Sequence, residues 1–288
     1  MSPILDASAC HNLLRSFLAE DIGSGDITTE TTVSVLQRAS GRVIAKAPLV
    51  LAGIEIFIEV FHLLDLTTMA AVYSMDGEEI MPGKVPVCVS ASARTLLTGE
   101  RVALNLLQRL SGVATLTRQF VRAIEGTAAE ILDTRKTTPG LRALEKYAVR
   151  VGGGKNHRKD LGEAILIKEN HIRLAGGVSA ALEAAQAAKG RVAWTEIEVT
   201  NLDELHAALP HNPDVIMLDN MNPSLARQAV GEVGKHAAPR KIRTEASGGI
   251  TLANVREFAE AGVDWISVGA LTHSAPAVDL SFEIEPLG

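Results

Sequence analysis

The distribution of apolar and polar positions divides the chain into two parts with different periodicities. Short runs with strand character, separated by turn residues, cover 41–45, 70–73 and 85–90. Apolar residues from Leu13 to Leu18 share one helical face, and Ser8 is placed to cap that helix. A long helical pattern then opens near Thr98, and Gly112 is expected to kink or loosen it. The first part is therefore predicted to be mixed α and β structure.

After residue 128, short apolar strands alternate with helices. The predicted strands are Glu130–Asp133, Ala164–Lys168, Val192–Val199, Asp214–Asp219, Lys241–Ala246 and Asp264–Val268. Pro139 and Pro223 each suit the first position of a helix, and Gly262 ends a helix predicted over 251–261. Asn201, with Glu204 three residues later, marks another helix start. Six strand–helix units predict a parallel sheet with right-handed crossovers. Since six units are too few for a regular eight-stranded barrel, either a doubly wound open sheet or an incomplete barrel fits.

The composition of the chain argues against several classes of function. The chain has 288 residues, 47% hydrophobic and 22% charged, which is globular composition and excludes wholesale disorder. The net charge of −6 and the 3% aromatic content argue against a nucleic-acid surface. Cys10 and Cys88 lie too far apart for a metal motif, and Cys88 is expected to be a reduced core thiol. Without a signal-like or membrane-spanning apolar run, we expect a soluble, cytoplasmic protein.

Polar, charged or glycine residues follow each of the six strands, where active sites of parallel α/β folds lie. The most informative is the run from Ser247 to Gly249, between a strand and a helix, with Gly269 after the next strand. Backbone N–H groups in such glycine loops can cradle a phosphate. We therefore predict a phosphate site at the ends of these two strands.

A basic cluster runs from Arg135 to Lys168, with nine Lys or Arg against three acidic residues. Gly152–Gly154 interrupts regular helix, so the basic residues that follow are expected on a loop that can approach a ligand. Arg142, Lys146 and Arg150 are expected on a solvated helix face. A small polyanion is the predicted ligand, because the cluster lacks aromatic residues for stacking on nucleic acid.

Acidic and histidine residues complete the candidate chemistry. Glu198 and Asp219, at separate strand ends, could hold Mg²⁺ or accept hydrogen bonds from sugar hydroxyls. His157 and His171 are candidate hydrogen-bonding groups. No Cys/His cluster is present, so a dedicated zinc site is not expected.

The motifs resemble those of the quinolinate phosphoribosyltransferase family, the carboxylating nicotinate-nucleotide pyrophosphorylases, from about residue 14 to residue 285. The matching segments are EDIGSGDITT at 20–29, ERVALN at 100–105, DTRKT at 133–137, GGG at 152–154 with NHR at 156–158, LIKENH at 166–171, Glu198, LDN at 218–220 and SGG at 247–249. The resemblance implies an N-terminal α/β sandwich joined to an incomplete α/β barrel of six or seven strands. It places the first domain at 1–112, the barrel at 113–270, and the tail 271–288 back on the first domain.

The resemblance also implies a reaction. Quinolinate and 5-phosphoribosyl-1-pyrophosphate would combine with Mg²⁺ to give nicotinate mononucleotide, pyrophosphate and CO₂, in de novo NAD biosynthesis. A homodimer would be the smallest functional unit, because Arg101 resembles an arginine that reaches the partner's site; further assembly to a hexamer stays open.

Roles follow residue by residue from the same resemblance. The residues expected to hold the quinolinate carboxylates are Arg135, His157, Arg158 and Lys168. Lys136 lies near substrate and pyrophosphate, while Glu198 and Asp219 lie near the ribose hydroxyls and Mg²⁺; these three form the expected catalytic set. The expected 5-phosphate cradle comprises Ser247, Gly248, Gly249, Gly269 and Ala270.

Three other functions stay open on the sequence. The nearest is a paralogue of the same fold with another acceptor, such as the molybdenum-transport-associated protein ModD. The second is a barrel aldolase that uses Lys168 or Lys136 as a Schiff base. The third is a phosphate-ligand binding protein without catalysis. The full set of predicted carboxylate-binding residues weighs against the first and the third.

Overall fold

The computed structural model describes residues 7–188, 190–237 and 241–287. The chain forms two compact units. The first comprises 7–118, 138–153 and 274–287, and the second comprises 119–137 and 154–273. Residues 138–153 thus pack with the first unit, whereas the sequence analysis placed them in the barrel domain.

The first unit is built around an antiparallel sheet. Its strands are β1 (Arg38–Ala45), β2 (Leu49–Val50), β3 (Met69–Val72), β4 (Glu79–Ile80), β5 (Val87–Ser92) and β12 (Leu280–Pro286). Four of them pair in the order β12-β1-β5-β3, and β2 pairs with β4. The C-terminal strand β12 lies along β1 from Ala45↔Leu280 to Ala39↔Pro286. The helices of this unit are α1 (Ala7–Ile22), α2 (Ile27–Thr32), α3 (Ile54–Leu64), most of α4 (Ala93–Ala123) and α5 (Arg142–Val151).

The second unit contains a six-stranded parallel sheet. Its strands are β6 (Glu130–Leu132), β7 (Ile165–Ile167), β8 (Thr195–Val199), β9 (Val215–Asp219), β10 (Arg243–Ser247) and β11 (Trp265–Ser267). The helices between them are α6 (Glu169–Ala175), α7 (Val178–Gln186), α8 (Leu202–Ala208) with a short 3₁₀ turn (Leu209–His211), α9 (Pro223–Lys235), α10 (Val255–Ala261) and α11 (Ala270–His273). All five pairs in this sheet are parallel, as predicted.

The order of the six strands distinguishes the two sheet architectures that the sequence left open. The order is β6-β11-β10-β9-β8-β7. The two strands of this sheet that come first along the chain, β6 and β7, therefore lie at its opposite edges. A barrel opened between its first and second strands has this order, whereas a doubly wound sheet reverses direction at an internal strand. The predicted incomplete barrel is therefore confirmed.

The open edge of β6 is partly covered by the loop that follows Gly154. Lys155 forms a parallel bridge with Leu132, donating its N–H to Ile131 O at 2.8 Å. The N–H of Asp133 in turn donates to Lys155 O at 3.1 Å. This bridge brings the segment from Lys155 to Arg158 beside the carboxyl end of β6.

Three of the predicted helix ends are observed, and two are not. α9 begins at Pro223 with Asn222 as its cap, Asn201 caps α8 by accepting the N–H of Glu204 at 2.9 Å, and Gly262 ends α10, all as predicted. Pro139 does not begin a helix, because α5 starts only at Arg142. Ser8 lies inside α1 rather than capping it.

The basic face predicted on α5 is only partly solvated. Arg150 is exposed, but Lys146 is buried together with Glu145. Glu145 accepts two hydrogen bonds from the Arg109 guanidinium, at 2.7 and 3.0 Å, so its buried charge is paired. Cys88 is partly exposed instead of buried, while Cys10 is buried. No helix in the described ranges is long and apolar enough to cross a membrane.

Glycine permits two close approaches to α4. The helix is continuous from Ala93 to Ala123, so Gly112 does not break it. A Cβ on Gly112 would lie 2.0 Å from Pro276 O, and a Cβ on Gly152 would lie 2.6 Å from Ala114 O. Gly152 therefore serves packing within the first unit, and not the approach to a ligand that the sequence suggested.

Gly112→Ala is expected to lower the free energy of unfolding by about 1–3 kcal/mol, because the methyl group would overlap the Pro276 carbonyl. Gly231→Ala is the matched control, since Gly231 lies inside α9 with no atom near its Cβ position. Ala at residue 231 should stabilise the protein by about 0.5–1 kcal/mol through helix propensity. Urea unfolding measures both effects. A stabilising Gly112→Ala would contradict the close approach.

Candidate active site

A cavity of about 580 Å³ lies at the carboxyl ends of the barrel strands. Most of the predicted site residues line it, namely Arg135, Lys136, His157, Arg158, Lys168, Glu198, Asp219, Ser247, Gly248 and Gly249. Six further residues line it as well, namely Thr134, Leu166, Met217, Asn220, Glu245 and Ser267. All these residues belong to the second unit. The cavity combines cationic, acidic and glycine groups in the volume range of a small-molecule site.

Strand alternation explains which side chains meet in the cavity. Residues two apart on a strand point to the same face, so Glu198 and Glu196 share a face of β8, and Ser247 and Glu245 share a face of β10. Met217 on β9 lies in register between Glu198 and Glu245. The register of these parallel strands therefore places Glu198 and Glu245 at one level of the barrel, on either side of Met217.

The loop that carries His157 and Arg158 is held by a buried carboxylate. Asp133 follows β6, and its side chain accepts the Asn156 amide at 2.6 Å and the His157 N–H at 2.9 Å. Asn156 and the backbone of residue 157 are thereby fixed relative to β6. This carboxylate, with the bridge through Lys155, directs Arg158 toward the cavity.

Two arginines crowd at one side of the cavity. Arg158 is buried, with Nη1 donating to Ala164 O at 2.8 Å, and its Nε has no hydrogen-bond partner among the described residues. Burial lowers the pKa of Arg158, and repulsion from Arg135 lowers it further. Glu196 and Glu198 oppose this effect. A guanidinium in such surroundings is suited to receive an anion.

Lys168 and Glu198 form an ion pair at the mouth of the cavity. Their side chains come from the ends of β7 and β8, and the Glu198 carboxylate accepts a hydrogen bond from Lys168 Nζ. The backbone N–H of Lys168 donates to His171 Nδ1 at 2.9 Å, so His171 caps α6 and does not line the cavity. The ion pair holds an ammonium and a carboxylate ready for a polar ligand.

The glycine loop after β10 has the conformation that a phosphate cradle needs. Gly248 and Gly249 have φ values of 92° and 62°, in the left-handed region that favours glycine. A Cβ on Gly248 would lie 2.2 Å from Asn220 Oδ1. The helix after this loop begins at Val255, four residues later than predicted, because Asn254 first closes a turn on Thr251 N at 2.8 Å. Gly248 and Gly249 both line the cavity.

Three predicted residues do not line the cavity. Gly269 and Ala270 lie after β11, and a Cβ on Gly269 would be 3.1 Å from the Lys136 side chain. Arg101 belongs to α4 of the first unit, and its side chain is 58% exposed. Its neighbour Glu100 lies 3.7 Å away, and burial raises the pKa of the Glu100 carboxyl.

A buried cluster beside the cavity contains two glutamates that the predicted site omitted, Glu196 and Glu245, of which Glu245 lines the cavity. His157, Glu196 and Glu245 place their polar atoms within 4.8 Å of one another, and all three side chains are buried. Strand alternation could have found both glutamates, since each lies two positions before a predicted site residue on the same strand.

The second unit is an incomplete parallel barrel with a basic cavity and a glycine loop at its strand ends. These features are typical of enzymes that act on small phosphorylated anions. Residues 26–111 match the quinolinate phosphoribosyl transferase N-terminal domain, and residues 113–283 match the C-terminal domain of that family. The chain belongs to the quinolinate phosphoribosyl transferase family.

Named relatives agree with this assignment. A probable carboxylating nicotinate-nucleotide pyrophosphorylase of Bacillus subtilis is 43% identical over 272 residues, covering 94% of this chain and 92% of the relative. The carboxylating nicotinate-nucleotide pyrophosphorylase of Mycobacterium leprae is 42% identical over 279 residues, covering 96% and 97%. The crystal structure of NadC from Streptococcus pyogenes superposes with a TM-score of 0.92 at 38% identity, covering 99% of both chains.

Asp133→Asn is expected to destabilise the protein by about 1–3 kcal/mol. The side-chain NH₂ group of the new residue would face a second donor, either the Asn156 side-chain amide or the His157 backbone N–H. Urea unfolding measures the change. Asp279→Asn, at an exposed aspartate, is the control and should leave stability within about 0.5 kcal/mol. Equal stability of the two variants would show that Asp133 does not hold the loop.

Proposed function

We propose that this chain transfers the phosphoribosyl group of 5-phosphoribosyl-1-pyrophosphate to quinolinate and releases pyrophosphate and CO₂. The product is nicotinate mononucleotide, which places the enzyme in NAD biosynthesis. One observation carries the assignment of the acceptor: the buried Arg158 guanidinium, with an orphaned Nε, faces the cavity beside Arg135. The two adjacent carboxylates of quinolinate match the two guanidinium groups that line this side of the cavity.

The cationic side chains have distinct tasks in this proposal. Arg135 and Arg158 bind the carboxylates by paired hydrogen bonds, for which the planar guanidinium is suited. Lys168 supplies a compact charge to the same acceptor, and Lys136 faces the pyrophosphate that departs. Positive charge in a low-dielectric cavity reduces the repulsion between two anionic substrates.

The acidic side chains orient the ribose. Glu198 and Asp219 line the same cavity, where they accept hydrogen bonds from the ribose hydroxyls. Cleavage of the bond from C1 to pyrophosphate develops positive charge on the ribose, which these carboxylates stabilise. Ser247, Gly248 and Gly249, with Gly269 and Ala270 at the next strand end, bind the 5-phosphate through backbone N–H groups.

The donor set also fits Mg²⁺. Glu198 and Asp219 offer the carboxylate oxygens that this ion prefers, but Lys168 and the Asn220 amide already contact them. Glu198 and Asp219 are the residues that would hold the ion together with the pyrophosphate of the substrate. Bound there, Mg²⁺ would neutralise charge that develops on the leaving group.

Decarboxylation follows from the acceptor itself. Attack of the pyridine nitrogen on C1 makes the ring a pyridinium, whose positive nitrogen stabilises the electron pair left on C2 when the 2-carboxylate leaves as CO₂. A proton from solvent then adds to C2 and completes nicotinate mononucleotide. The protein has only to hold that carboxylate and limit its solvation. A Schiff-base lysine is not needed, and Lys168 Nζ is already engaged in the ion pair with Glu198.

The direct test is an assay with quinolinate, phosphoribosyl pyrophosphate and Mg²⁺ that follows nicotinate mononucleotide and CO₂ together. Equal amounts of both products are expected from quinolinate, and little product from nicotinate, which lacks the 2-carboxylate. Binding of phosphoribosyl pyrophosphate without product would indicate a paralogue with a different acceptor.

Arg135→Ala, Arg158→Ala and Lys168→Ala are each expected to cost at least about 2–4 kcal/mol of transition-state stabilisation, as measured by kcat/KM for quinolinate. Each substitution removes one cation from the acceptor side of the cavity. Arg173→Ala, at an exposed arginine of α6, is the control and should leave kcat/KM unchanged. Near-wild-type kcat/KM in all three cavity variants would overturn the residue assignment.

We further propose that the active form is a homodimer, or a larger assembly of dimers, in the cytoplasm. The exposed side chain of Arg101, outside the cavity of its own chain, completes the site of the partner. Phosphorylated substrates cannot cross a bilayer unaided, so the enzyme works in the compartment that holds them.

Co-expression of Arg101→Ala with Arg158→Ala tests the shared site. Each variant alone should be nearly inactive, whereas an equal mixture should recover about one quarter of wild-type activity, since half the dimers carry one intact site. Co-expression of Lys168→Ala with Arg158→Ala is the control, because no dimer of these two variants has an intact site. Absence of recovery in the first mixture would contradict a partner role for Arg101.

A further inference from the structure

A buried threonine outside the cavity lining contacts the loop that carries Lys136. The hydroxyl of Thr272, in α11, donates to Lys136 O at 2.8 Å and lies 3.2 Å from Gly269 O. A hydroxyl has one proton, so the shorter contact is the principal hydrogen bond. Thr272 is fully buried and does not line the cavity, and it belongs to the second unit, as Lys136 does. Its hydroxyl is therefore placed to act on the loop and not on a ligand.

Two further contacts fix Lys136. A Cβ on Gly269 would lie 3.1 Å from Lys136 Cδ, so the aliphatic part of the lysine crosses the end of β11 against glycine backbone. The backbone N–H of Lys136 donates to Thr134 Oγ1 at 3.0 Å. Lys136 is an exposed residue, and an exposed lysine loses much side-chain freedom when it binds a ligand. Contacts at its N–H, its carbonyl and its aliphatic stem reduce that loss before any ligand arrives.

The hydrogen bond from Thr272 joins the ends of two neighbouring strands. The loop with Lys136 follows β6, and α11 follows β11. These strands pair in parallel, and the N–H of Val268 still donates to Leu132 O at 2.9 Å just beyond β11. The Thr272 hydroxyl continues this connection past the strands, between the loop and the helix. The position of Lys136 is thereby tied to the end of β11.

We propose that Thr272 is a positioning residue for the donor substrate. Its hydroxyl holds the Lys136 carbonyl beside the end of β11, so that the Lys136 ammonium meets the departing pyrophosphate. This proposal rests on the proposed function, which places the 5-phosphate at Gly269 and Ala270 and the pyrophosphate at Lys136. The hydrogen bond sets the span between these two groups, which has to match the length of one phosphoribosyl pyrophosphate molecule.

Thr272→Val removes the hydrogen-bond donor at nearly constant volume. We expect the KM for phosphoribosyl pyrophosphate to rise at least about tenfold, because the loop no longer holds Lys136 in place. The KM for quinolinate should stay within about threefold of wild type, since Arg158 and Lys168 keep their own contacts. Steady-state kinetics with each substrate varied in turn measure both constants. An unchanged KM for phosphoribosyl pyrophosphate, or an equal rise in both constants, would overturn the proposal.

Thr117→Val is the matched control. Thr117 is also fully buried, and its hydroxyl donates to Val113 O at 2.8 Å inside α4 of the first unit. Its replacement removes one buried hydroxyl hydrogen bond, as in Thr272→Val, and should lower stability in urea to a similar extent. Both KM values should stay within about twofold of wild type. The same rise in the KM for phosphoribosyl pyrophosphate in this control would contradict a specific role for Thr272.

Lys136→Ala tests whether Thr272 acts through that lysine, because alanine keeps the carbonyl that Thr272 contacts. Lys136→Ala alone should raise the KM for phosphoribosyl pyrophosphate at least about tenfold. Adding Thr272→Val should raise it less than about twofold more, because no ammonium remains to be positioned. A further tenfold rise in the double variant would overturn the proposal, since Thr272 would then act on the phosphate cradle or on the fold. So would an unchanged KM in Lys136→Ala.

Two smaller substitutions separate hydrogen bonding from packing and decide the question even if Thr272→Val does not fold. Thr272→Ser keeps the hydroxyl, whereas the thiol of Thr272→Cys is only a weak donor. The KM for phosphoribosyl pyrophosphate should stay within about threefold of wild type for serine and rise at least about fivefold for cysteine. Equal KM values for the two variants, or a larger rise for serine, would overturn the proposal.

A binding measurement separates this proposal from the proposed function. Phosphoribosyl pyrophosphate with Mg²⁺ is titrated calorimetrically in the presence of benzene-1,2-dicarboxylate, which has no ring nitrogen to attack C1 and so permits no turnover. Thr272→Val should bind at least about tenfold more weakly than wild type. If quinolinate proved not to be a substrate, this difference would still support the role of Thr272. Equal affinities would overturn that role alone, and a wild-type protein that does not bind phosphoribosyl pyrophosphate would overturn both proposals.

Discussion

The crowding of positive charge at the carboxyl ends of the barrel strands is the constraint on which the site depends. Arg135 and Arg158 repel each other in a cavity that is partly closed to water, and burial further weakens the charged form of Arg158. Such a pair is costly without an anion. Glu196 and Glu198 oppose this lowering of the Arg158 pKa. In the proposed function the dicarboxylate would relieve the repulsion between the two arginines, so affinity and selectivity for it would have one origin.

This crowding is possible because the barrel is open. A closed barrel would pair β6 with β7 and leave no place for an irregular loop between them. Here the loop bridges the edge of β6 at Lys155, and Asp133 binds the next two residues through its carboxylate. The missing strand contacts are thus replaced by one buried side chain, which satisfies backbone and amide groups that water cannot reach. The gap in the sheet is the part of the fold that brings Arg158 into the site.

Sequence periodicity was sufficient for the sheet and for most of the cavity. Parallel strands bring their carboxyl ends together, so polar residues at each end had to be neighbours. Periodicity was insufficient for residues whose burial or packing depends on tertiary contacts. Lys146 is buried with Glu145 despite its place in a basic helix. Gly152 packs against α4, and Pro139 precedes its helix instead of starting it. The complete burial of Glu245 could not be predicted from the residues around it, because that burial depends on strands distant in the sequence.

Counting charge around the cavity gives an independent reason for a divalent cation. Among the described residues that line it, four side chains are cationic, Arg135, Lys136, Arg158 and Lys168, while Glu198 and Asp219 are carboxylates. Glu245 is a third carboxyl group in the lining, and burial raises its pKa well above the usual range. The two substrates together bring a dicarboxylate, a phosphate and a pyrophosphate, and each phosphate group carries up to about two negative charges at neutral pH. The protein alone therefore falls short of neutralising its ligands, and the proposed Mg²⁺ would supply the difference. The same argument explains why carboxylates stand beside the lysines: they can hold that cation and orient the ribose without cancelling the arginines that select the acceptor.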